Sequence, residues 1–200
     1  MKDRFELLKE KFGVSRETYN NLSLYVQSLL KWNQKINLVS KACDEDELWN
    51  RHVVDAVQLY KFFHKDKSII DFGSGGGVPG LILSIMGLQV TLIEKNFKKI
   101  QFLKQIKSLL DLKVGIINSD IRECDLGEVS YITCRGVASL VEVINLTSPW
   151  FYKNVIYILP RGETFEEEVQ EAREMYDFSY KCYESYTNFK SKIVVLNHNG

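Results

Sequence analysis

The sequence of 200 residues predicts an α/β fold: a doubly wound, mostly parallel sheet with an antiparallel hairpin at one edge and a helical extension before it. Two observations predict this class. From residue 69 onward, short apolar runs alternate with helical stretches, which is the pattern of strands joined by crossover helices. Two β-rich runs then close the chain without a helix between them. We therefore predict a helical extension over residues 1–66, packed on a main domain over residues 67–200.

Composition limits the function classes. Lysine plus arginine and aspartate plus glutamate both number 26, so any nucleic-acid contact must come from a local basic patch. The four cysteines have no CxxC spacing, which argues against a zinc site or a disulfide framework. No apolar stretch is long enough to span a membrane. We expect a cytoplasmic protein with no metal and no membrane partner.

Three helices are predicted before the first strand. The first has apolar residues at helical spacing and ends at Gly13. Ser15 is a candidate N-cap for the second helix. Asp44 and Glu47 have the spacing of a capping pair for the third helix, which we expect to run to about Phe63.

The main domain alternates strands and helices. The predicted strands are the run Ile69–Phe72, Gln89–Glu94, Val114–Ile117, Tyr131–Cys134, Val155–Leu159, Asp177–Tyr186 and Lys192–Leu196. The predicted helices are Leu81–Met86, Phe97–Leu110, Leu140–Leu146, which stops near Pro149, and one that follows a capping box of Thr164 and Glu167. Ligands of such sheets bind at the carboxyl ends of the strands.

The turn after the first strand is the strongest functional signal, with five glycines in the eight positions 73–80. Glycine has no Cβ and adopts positive φ easily, so this backbone can approach a ligand closely. A P-loop would need Gly-Lys-Ser/Thr, which is absent, and a dinucleotide fingerprint fits Gly75, Gly77 and Gly80 only weakly. A crossover turn without a ligand is the alternative, at a cost in backbone entropy.

An S-adenosylmethionine (AdoMet) pocket fits this turn better. Asp71 at the strand tip suits the ammonium of AdoMet, and Gly73, Gly75 and Gly77 are spaced as such a pocket requires. Backbone N–H groups at the start of the next helix suit its carboxylate. Glu94 follows Gly73 by about 20 residues, the interval at which an acid reaches ribose hydroxyls; a solvated strand-end acid is the alternative.

The ends of the third and fourth strands supply further candidates. Asp120, Ile121 and Arg122 either line an adenine or form an ordinary turn. Arg135 is a fixed cation beside the expected ligand, or else it forms a structural ion pair with Asp71 or Asp120. The Asn/Asp-Pro-Pro-aromatic motif of methyltransferases that act on exocyclic amino groups is absent from this strand end. Cys134 lacks the proline that precedes the cysteine nucleophile of cytosine-C5 methyltransferases, so we interpret it as a buried hydrophobic residue.

Several segments, in this order along nearly the whole chain, resemble the bacterial small-subunit (16S) rRNA guanine-N7 methyltransferases, the RsmG or GidB family. They are Lys31–Asn33, Asn37–Ser40, Arg51–Asp55, Asp71–Gly80, Lys98–Lys99 with Phe102–Leu103, and Arg135 with Ala138–Leu140. Three departures stand out: Gly136 is usually Ala, Arg161 usually Lys and Arg122 usually an acid.

The resemblance implies a class I, Rossmann-like AdoMet methyltransferase that acts as a monomer on N7 of a guanine in 16S rRNA or the small subunit. AdoMet contacts carry over to Gly73, Val78, Glu94 at the ribose, Ile121, Arg122 and Arg135. The resemblance places Asn37, Arg51, His52 and Arg161 toward the RNA. Arg135 and Arg161 are the candidate catalytic residues, since either would hold the guanine O6. N7 has no proton to lose, so no general base is needed.

Other interpretations stay open at this point. A small-molecule methyltransferase would use the same pocket, and an RNA-binding domain could keep the fold without turnover. His52 and Asp55 lie one helical turn apart. They could bind a metal, although no further ligands are evident; alternatively, they form a hydrogen bond on the helix surface or belong to an RNA-facing patch with Arg51. A set of basic residues interleaved with Trp32 and Trp49 either forms a local basic surface or is merely solvated: Lys31, Lys35, Lys41, Arg51, Lys61 and Lys65.

Overall fold

A seven-stranded sheet organises the computed structural model, which describes residues 4–40 and 43–199. The strands are β1 (Ile69–Phe72), β2 (Val90–Ile93), β3 (Gly115–Ile117), β4 (Tyr131–Thr133), β5 (Ile156–Arg161), β6 (Phe178–Glu184) and β7 (Lys192–His198). Their order is β3-β2-β1-β4-β5-β7-β6; β1 to β5 are parallel, and β7 is antiparallel to both neighbours. The predicted fold class is confirmed.

Strand register fixes where the functional candidates lie. Asp71 in β1 is aligned with Leu92 of β2 on one side and with Thr133 of β4 on the other. Glu94 and Arg135 each follow those partners by two residues. All three candidates therefore lie at the carboxyl edge of the sheet. The strand order also reverses between β1 and β4, which is where ligands of such sheets bind.

The described N-terminal part is helical but less regular than predicted. Its helices are α1 (Arg4–Phe12), α2 (Arg16–Asn33), α3 (Glu45–Leu48) and α4 (Asp55–Val57), with a π-helical turn over Trp49–Val54 and a 3₁₀ turn over Tyr60–Phe62. Both predicted N-caps are confirmed: Ser15 Oγ accepts from the Thr18 N–H at 3.1 Å, and Asp44 Oδ1 accepts from the Glu47 N–H at 2.8 Å. The prediction of one continuous third helix to about Phe63 was wrong, because a π-helical turn and a 3₁₀ turn interrupt it.

The remaining helices cover both faces of the sheet. They are α5 (Gly80–Ile85), α6 (Phe97–Leu109), α7 (Leu140–Leu146), α8 (Ser148–Phe151) and α9 (Phe165–Arg173). The capping box of Thr164 and Glu167 was wrong: Thr164 makes no side-chain cap, and its Oγ1 lies 3.2 Å from Glu168 Oε1. A true capping box joins Ser139 and Glu142 at the start of α7.

The N-terminal helices and the main domain share one hydrophobic cluster. It includes Leu22 and Leu29 of α2 together with Leu81 of α5 and Leu103 of α6. The hydroxyl of Tyr25 donates to the carbonyl of Gly76 at 2.7 Å, so α2 also supports the glycine-rich turn. The boundary at residue 66 stays a prediction. Within the described residues, no helix combines the length and apolar character that crossing a membrane requires.

We expect Tyr25→Phe to lower the free energy of unfolding by about 1 to 3 kcal/mol, because the buried Gly76 carbonyl would lose its donor. Urea titration measures the change. Tyr19→Phe on the same helix is the control: the Tyr19 ring stacks on Trp49, and the side-chain hydrogen bond at this residue, from Ser23, goes to its backbone carbonyl. Equal destabilisation by the two variants would contradict the role given to the Tyr25 hydroxyl.

Candidate functional site

A cleft of about 440 Å³ opens at the carboxyl ends of β1, β2 and β3, and we call it the strand-tip cleft. Its volume is within the range of small-molecule sites. It is lined by Phe72, Gly73, Ile93, Glu94, Lys95, Lys99, Ser119, Asp120, Ile121, Arg122, Gly136, Val137, Ala138, Glu142 and Leu146. Four of the predicted cofactor residues (Gly73, Glu94, Ile121 and Arg122) thus lie in one cleft.

The glycine-rich turn needs glycine for two different reasons. Gly73, Gly75 and Gly77 have φ of +64°, +54° and +88°, a conformation that side chains disfavour. A Cβ on Gly73 would come within 2.6 Å of the Val137 side chain, so protein packing excludes one there. A Cβ on Gly75 would meet nothing nearer than the Gly73 carbonyl oxygen at 3.7 Å. The space beside Gly75 is therefore free for a ligand.

Asp71 is fully buried directly beneath this turn. Its Oδ2 accepts from the Gly80 N–H at 3.1 Å, which fixes the start of α5. Its Oδ1 is buried and has no hydrogen-bond partner among the described residues. Burial raises the pKa of this carboxyl to about 7, with Glu94 adding to the effect and the bond from Gly80 opposing it, while the Ser74 hydroxyl donates to the Asp71 backbone carbonyl at 2.8 Å. An unpaired buried acceptor fits a cationic ligand group, although Asp71 does not line the strand-tip cleft itself.

Glu94 and the turn after β3 form the opposite wall of the strand-tip cleft. Glu94 Oε2 accepts from the Gly75 N–H at 2.9 Å and Oε1 accepts from the Asn96 N–H at 2.7 Å. Each oxygen keeps a lone pair for a ribose hydroxyl. The Arg122 guanidinium is bidentate to Asp120, at 2.9 Å for both bonds, and lowers the pKa of Asp120 to about 2. The Arg122 backbone N–H also donates to Asp120 Oδ1, at 3.1 Å, so Arg122 keeps only its backbone carbonyl for a ligand, beside the buried Ile121. Together these residues fit AdoMet.

A second cleft, of about 430 Å³, adjoins the first, and we call it the arginine cleft. It is lined by Asn50, Arg51, Asp55, Gln58, Arg135, Gly136, Pro160, Arg161, Gly162, Ser185, Thr187, Asn188, Ser191, Lys192 and Ile193. Four cationic side chains and one carboxylate face it. Gly136 lines both clefts, so the two meet at the end of β4.

Arg135 lies in the arginine cleft and is held by the π-helical turn. Its Nη1 donates to the Arg51 carbonyl and its Nη2 to His52 Nδ1, both at 2.6 Å, and Nη1 is 3.9 Å from Asp55 Oδ2. The ion pair with Asp71 or Asp120 that we considered from sequence was wrong, since the nearby acid is Asp55.

His52 and Asp55 serve this arginine and do not bond each other. Burial, Arg135 and Arg51 lower the pKa of His52 to about 3, so the imidazole is neutral and its Nδ1 accepts from Arg135. Asp55 accepts from Thr187 Oγ1 and, at 3.1 Å, from Gln58 Nε2, and burial raises its pKa. The described residues contain no group of three or more His, Cys, Asp or Glu suited to a metal.

Arg161 is the buried cation of the arginine cleft, with only 8% of its side chain exposed. Its Nη1 donates to the Ala138 carbonyl at 2.7 Å and lies 3.3 Å from Glu168 Oε2. Its Nε and Nη2 are buried without a partner among the described residues. Glu168 was not predicted from the sequence, although its i, i+4 spacing from Thr164 is a weak signal.

Other candidates lie outside the two clefts. Asn37 is exposed in the loop after α2, and Val78 packs against the hydrophobic cluster that the N-terminal helices share with the main domain. Trp49 is buried, so its place in a basic surface was wrong, and Lys41 lies outside the described residues. Lys31, Lys35 and Trp32 line a separate groove between α2 and α6.

Comparisons with known proteins agree with this geometry. A family model described as "rRNA small subunit methyltransferase G" (GidB) matches residues 18–196. A ribosomal RNA small subunit methyltransferase G of Orientia tsutsugamushi is 37% identical over 198 residues, covering 96% of both chains. One from Bartonella bacilliformis is 32% identical over 200 residues, covering 96% of this chain and 93% of the relative.

The fold also has relatives among solved structures. A TehB-like SAM-dependent methyltransferase from Corynebacterium glutamicum superposes with a TM-score of 0.56 over 73% of this chain and 88% of that chain, at 15% identity. At that identity the likeness concerns the fold alone, and it agrees with the predicted Rossmann-like methyltransferase architecture.

We expect Gly75→Val to weaken AdoMet binding by about tenfold or more while the protein stays folded, since a side chain there would enter free space beside the cleft. Calorimetry measures the affinity. Gly13→Val is the matched control, because Gly13 has φ of +68° and no atom within 4 Å of a built Cβ, so the backbone strain is similar. Unchanged AdoMet affinity in the Gly75 variant would rule out the cofactor assignment.

Proposed function

Because the chain belongs to the rRNA small subunit methyltransferase G family, we propose that it transfers a methyl group from AdoMet to N7 of a guanine in 16S rRNA. We predicted from the sequence that the chain belongs to this family and is an AdoMet-dependent rRNA methyltransferase. The family model and the relatives confirm both predictions. The matched residues include every residue that lines either cleft. We further propose that it acts as a monomer, in the cytoplasm, on the RNA or the small subunit.

The strand-tip cleft supports the cofactor half of this proposal. When bound, AdoMet supplies a methyl group on a positively charged sulfur, which makes the methyl carbon electrophilic. Gly73 lines the cleft without a side chain, and Gly75 leaves open space where a Cβ would stand. Glu94 offers carboxylate lone pairs to the ribose, and Ile121 offers an apolar surface to the adenine. The unpaired Oδ1 of Asp71 suits the ammonium.

Methylation of guanine N7 requires few catalytic side chains. Guanine N7 carries an in-plane lone pair and no proton, so the chain must align the reactants and exclude water, and it needs no general base. A covalent mechanism through a cysteine and general-base catalysis by a histidine are both disfavoured by the structure. Cys134 is buried and its pKa is raised to about 12 by that burial, which disfavours a thiolate nucleophile. His52 is a poor base because its Nδ1 already accepts from Arg135.

The observation that carries the proposal is that two donors of the buried Arg161 guanidinium, Nε and Nη2, have no partner among the described residues, in the cleft that Gly136 also lines. A buried N–H without an acceptor costs free energy, which a bound acceptor would recover. The guanine O6 is such an acceptor, and arginine commonly binds the O6/N7 edge of guanine. N7 has to stay free for methylation, so we assign the Nε and Nη2 donors to O6. Arg135, on the same cleft, is the second candidate to hold the base.

Transfer from labelled AdoMet to naked 16S rRNA, small ribosomal subunits and a panel of metabolites tests the proposed function. We expect transfer to rRNA or subunits only, with the label at N7 of one guanine after mapping. Transfer to a metabolite alone would support a small-molecule methyltransferase. RNA binding without any transfer would support a non-catalytic binding domain.

Arg161→Lys should slow methyl transfer at saturating RNA by about 10- to 100-fold while AdoMet affinity stays the same. Lysine keeps the charge but has no planar donor fork, and a good bidentate contact to a base is worth about 1–3 kcal/mol. Single-turnover rates measure the effect. The control is Arg173→Lys, the same change at an exposed position of α9. An unchanged rate in the Arg161 variant would exclude its assigned role.

Arg51→Ala should weaken RNA binding and leave AdoMet affinity unchanged. The Arg51 side chain is 69% exposed and pairs with Glu47 at 2.6 Å, while only its backbone carbonyl holds Arg135. Truncation therefore removes one exposed cation without disturbing Arg135. The slope of log affinity for RNA against log salt should become shallower by about one unit, the effect of one phosphate contact.

A salt titration of both affinities checks this outcome, with Arg173→Ala as the control. If Arg51→Ala lost AdoMet and kept RNA, the N-terminal helices would belong to the cofactor pocket.

A further inference from the structure

The loop between β6 and β7, residues 185–191, forms one wall of the arginine cleft. Arg161 at the end of β5 is aligned with Lys192 at the start of β7, so this loop stands at the carboxyl edge of the sheet. Its residues Ser185, Thr187 and Asn188 line the cleft. The loop therefore borders the space that the proposed function gives to the target guanine.

The loop is anchored on two sides. Toward the N-terminal helices, the Tyr186 N–H donates to Gln58 Oε1 at 2.8 Å, and Thr187 Oγ1 donates to Asp55. Toward β5, Lys190 Nζ lies 3.1 Å from Glu163 Oε1. These contacts hold the base of the loop in a fixed position beside the cleft.

At the tip of this anchored loop, Phe189 points away from the protein. It is 77% exposed, more than any other large apolar side chain among the described residues. Burial of an aromatic ring is strongly favourable, so a ring on an anchored loop and outside the core is available for an external contact. The adjoining arginine cleft carries the cations Arg51, Arg135 and Lys192. Their nearest carboxylates are Glu47, Asp55 and Glu184, respectively.

An exposed aromatic ring beside a cationic cleft matches the way proteins bind unpaired RNA. Cations neutralise the phosphates, and aromatic rings stack on bases that are not in a duplex. A duplex offers no free base face to a side chain. The occupant that these features fit is therefore single-stranded RNA, with one base on the ring and the next in the cleft.

We infer that Phe189 stacks on an unpaired base that neighbours the target guanine and thereby seats the guanine in the arginine cleft. The inference rests on the proposed function for its substrate, since it takes the arginine cleft as the acceptor site. It gives the β6–β7 loop a role in choosing an unpaired stretch of RNA over a duplex. AdoMet binding is not involved, because Phe189 does not line the strand-tip cleft.

The test compares wild type, Phe189→Ala, Phe189→Trp and Tyr152→Ala. Tyr152 is the matched control: it is also an aromatic with 61% exposure, but it follows α8 and precedes β5, at the opposite edge of the sheet. Three quantities are measured: KM and kcat for rRNA methylation, the AdoMet affinity, and the affinity for single-stranded and duplex RNA oligonucleotides.

For Phe189→Ala, we expect about a tenfold rise in KM and in the Kd for single-stranded RNA, in the range that loss of one stacked base produces. Phe189→Trp should restore both, and Tyr152→Ala should match wild type. The AdoMet and duplex affinities should be unchanged in all variants. A wild-type KM and Kd for Phe189→Ala would overturn the inference.

Two further outcomes distinguish base stacking by Phe189 from a contact with a ribosomal protein and from a failure of the proposed function. If Phe189→Ala impaired methylation of assembled subunits but not binding of naked RNA, the ring would contact a ribosomal protein and the inference would be wrong. If wild type transferred no methyl group to RNA, the proposed function would fail. Oligonucleotide binding would still decide the role of Phe189, because it needs no turnover.

Discussion

The guanidinium of Arg135 joins three distant parts of the chain, and the geometry of the arginine cleft depends on it. It extends from the end of β4 to the Arg51 carbonyl and to His52 in the π-helical turn. It also lies near Asp55, which in turn accepts from Thr187 in the β6–β7 loop. Arg135 thus links the sheet to the N-terminal helices, and Asp55 and Gln58 link those helices to the loop that carries Phe189.

This junction requires a particular protonation state of each member. His52 has to be neutral, because only a neutral imidazole has a ring nitrogen that accepts from the guanidinium. Burial and the charges of Arg135 and Arg51 keep it so by lowering its pKa. Arg135 itself stays charged, and a carboxylate at Asp55 partly balances it even though burial raises the pKa of that acid. The buried charges are acceptable because each is hydrogen-bonded.

Local signals were enough to predict the sheet, the N-caps Ser15 and Asp44 and the location of the strand-tip residues, but the predicted cap at Thr164 was wrong. Asp71 lies in β1, Gly75 follows β1 and Glu94 follows β2. Because β1 and β2 are neighbours in the sheet, strand order alone brings these residues together. The partners of Arg135 and Arg161 could not be predicted in this way. They come from residues up to 84 positions away, and tertiary packing selects them. The π-helical turn was also hidden, because its buried residues Trp49 and Val53 fit an ordinary helical period as well.

Gly136 is the point at which the two clefts become one site. It lines both of them, has φ of +62°, and has no atom within 4 Å of a Cβ built on it. A side chain at that position would therefore project into open space where the clefts meet. A donor in the strand-tip cleft and a base in the arginine cleft would have to react across this space, since Val137 closes against Gly73 on the other side. Gly136 leaves this space open where the family usually has Ala, and the alignment of cofactor and base that we propose would take place across it.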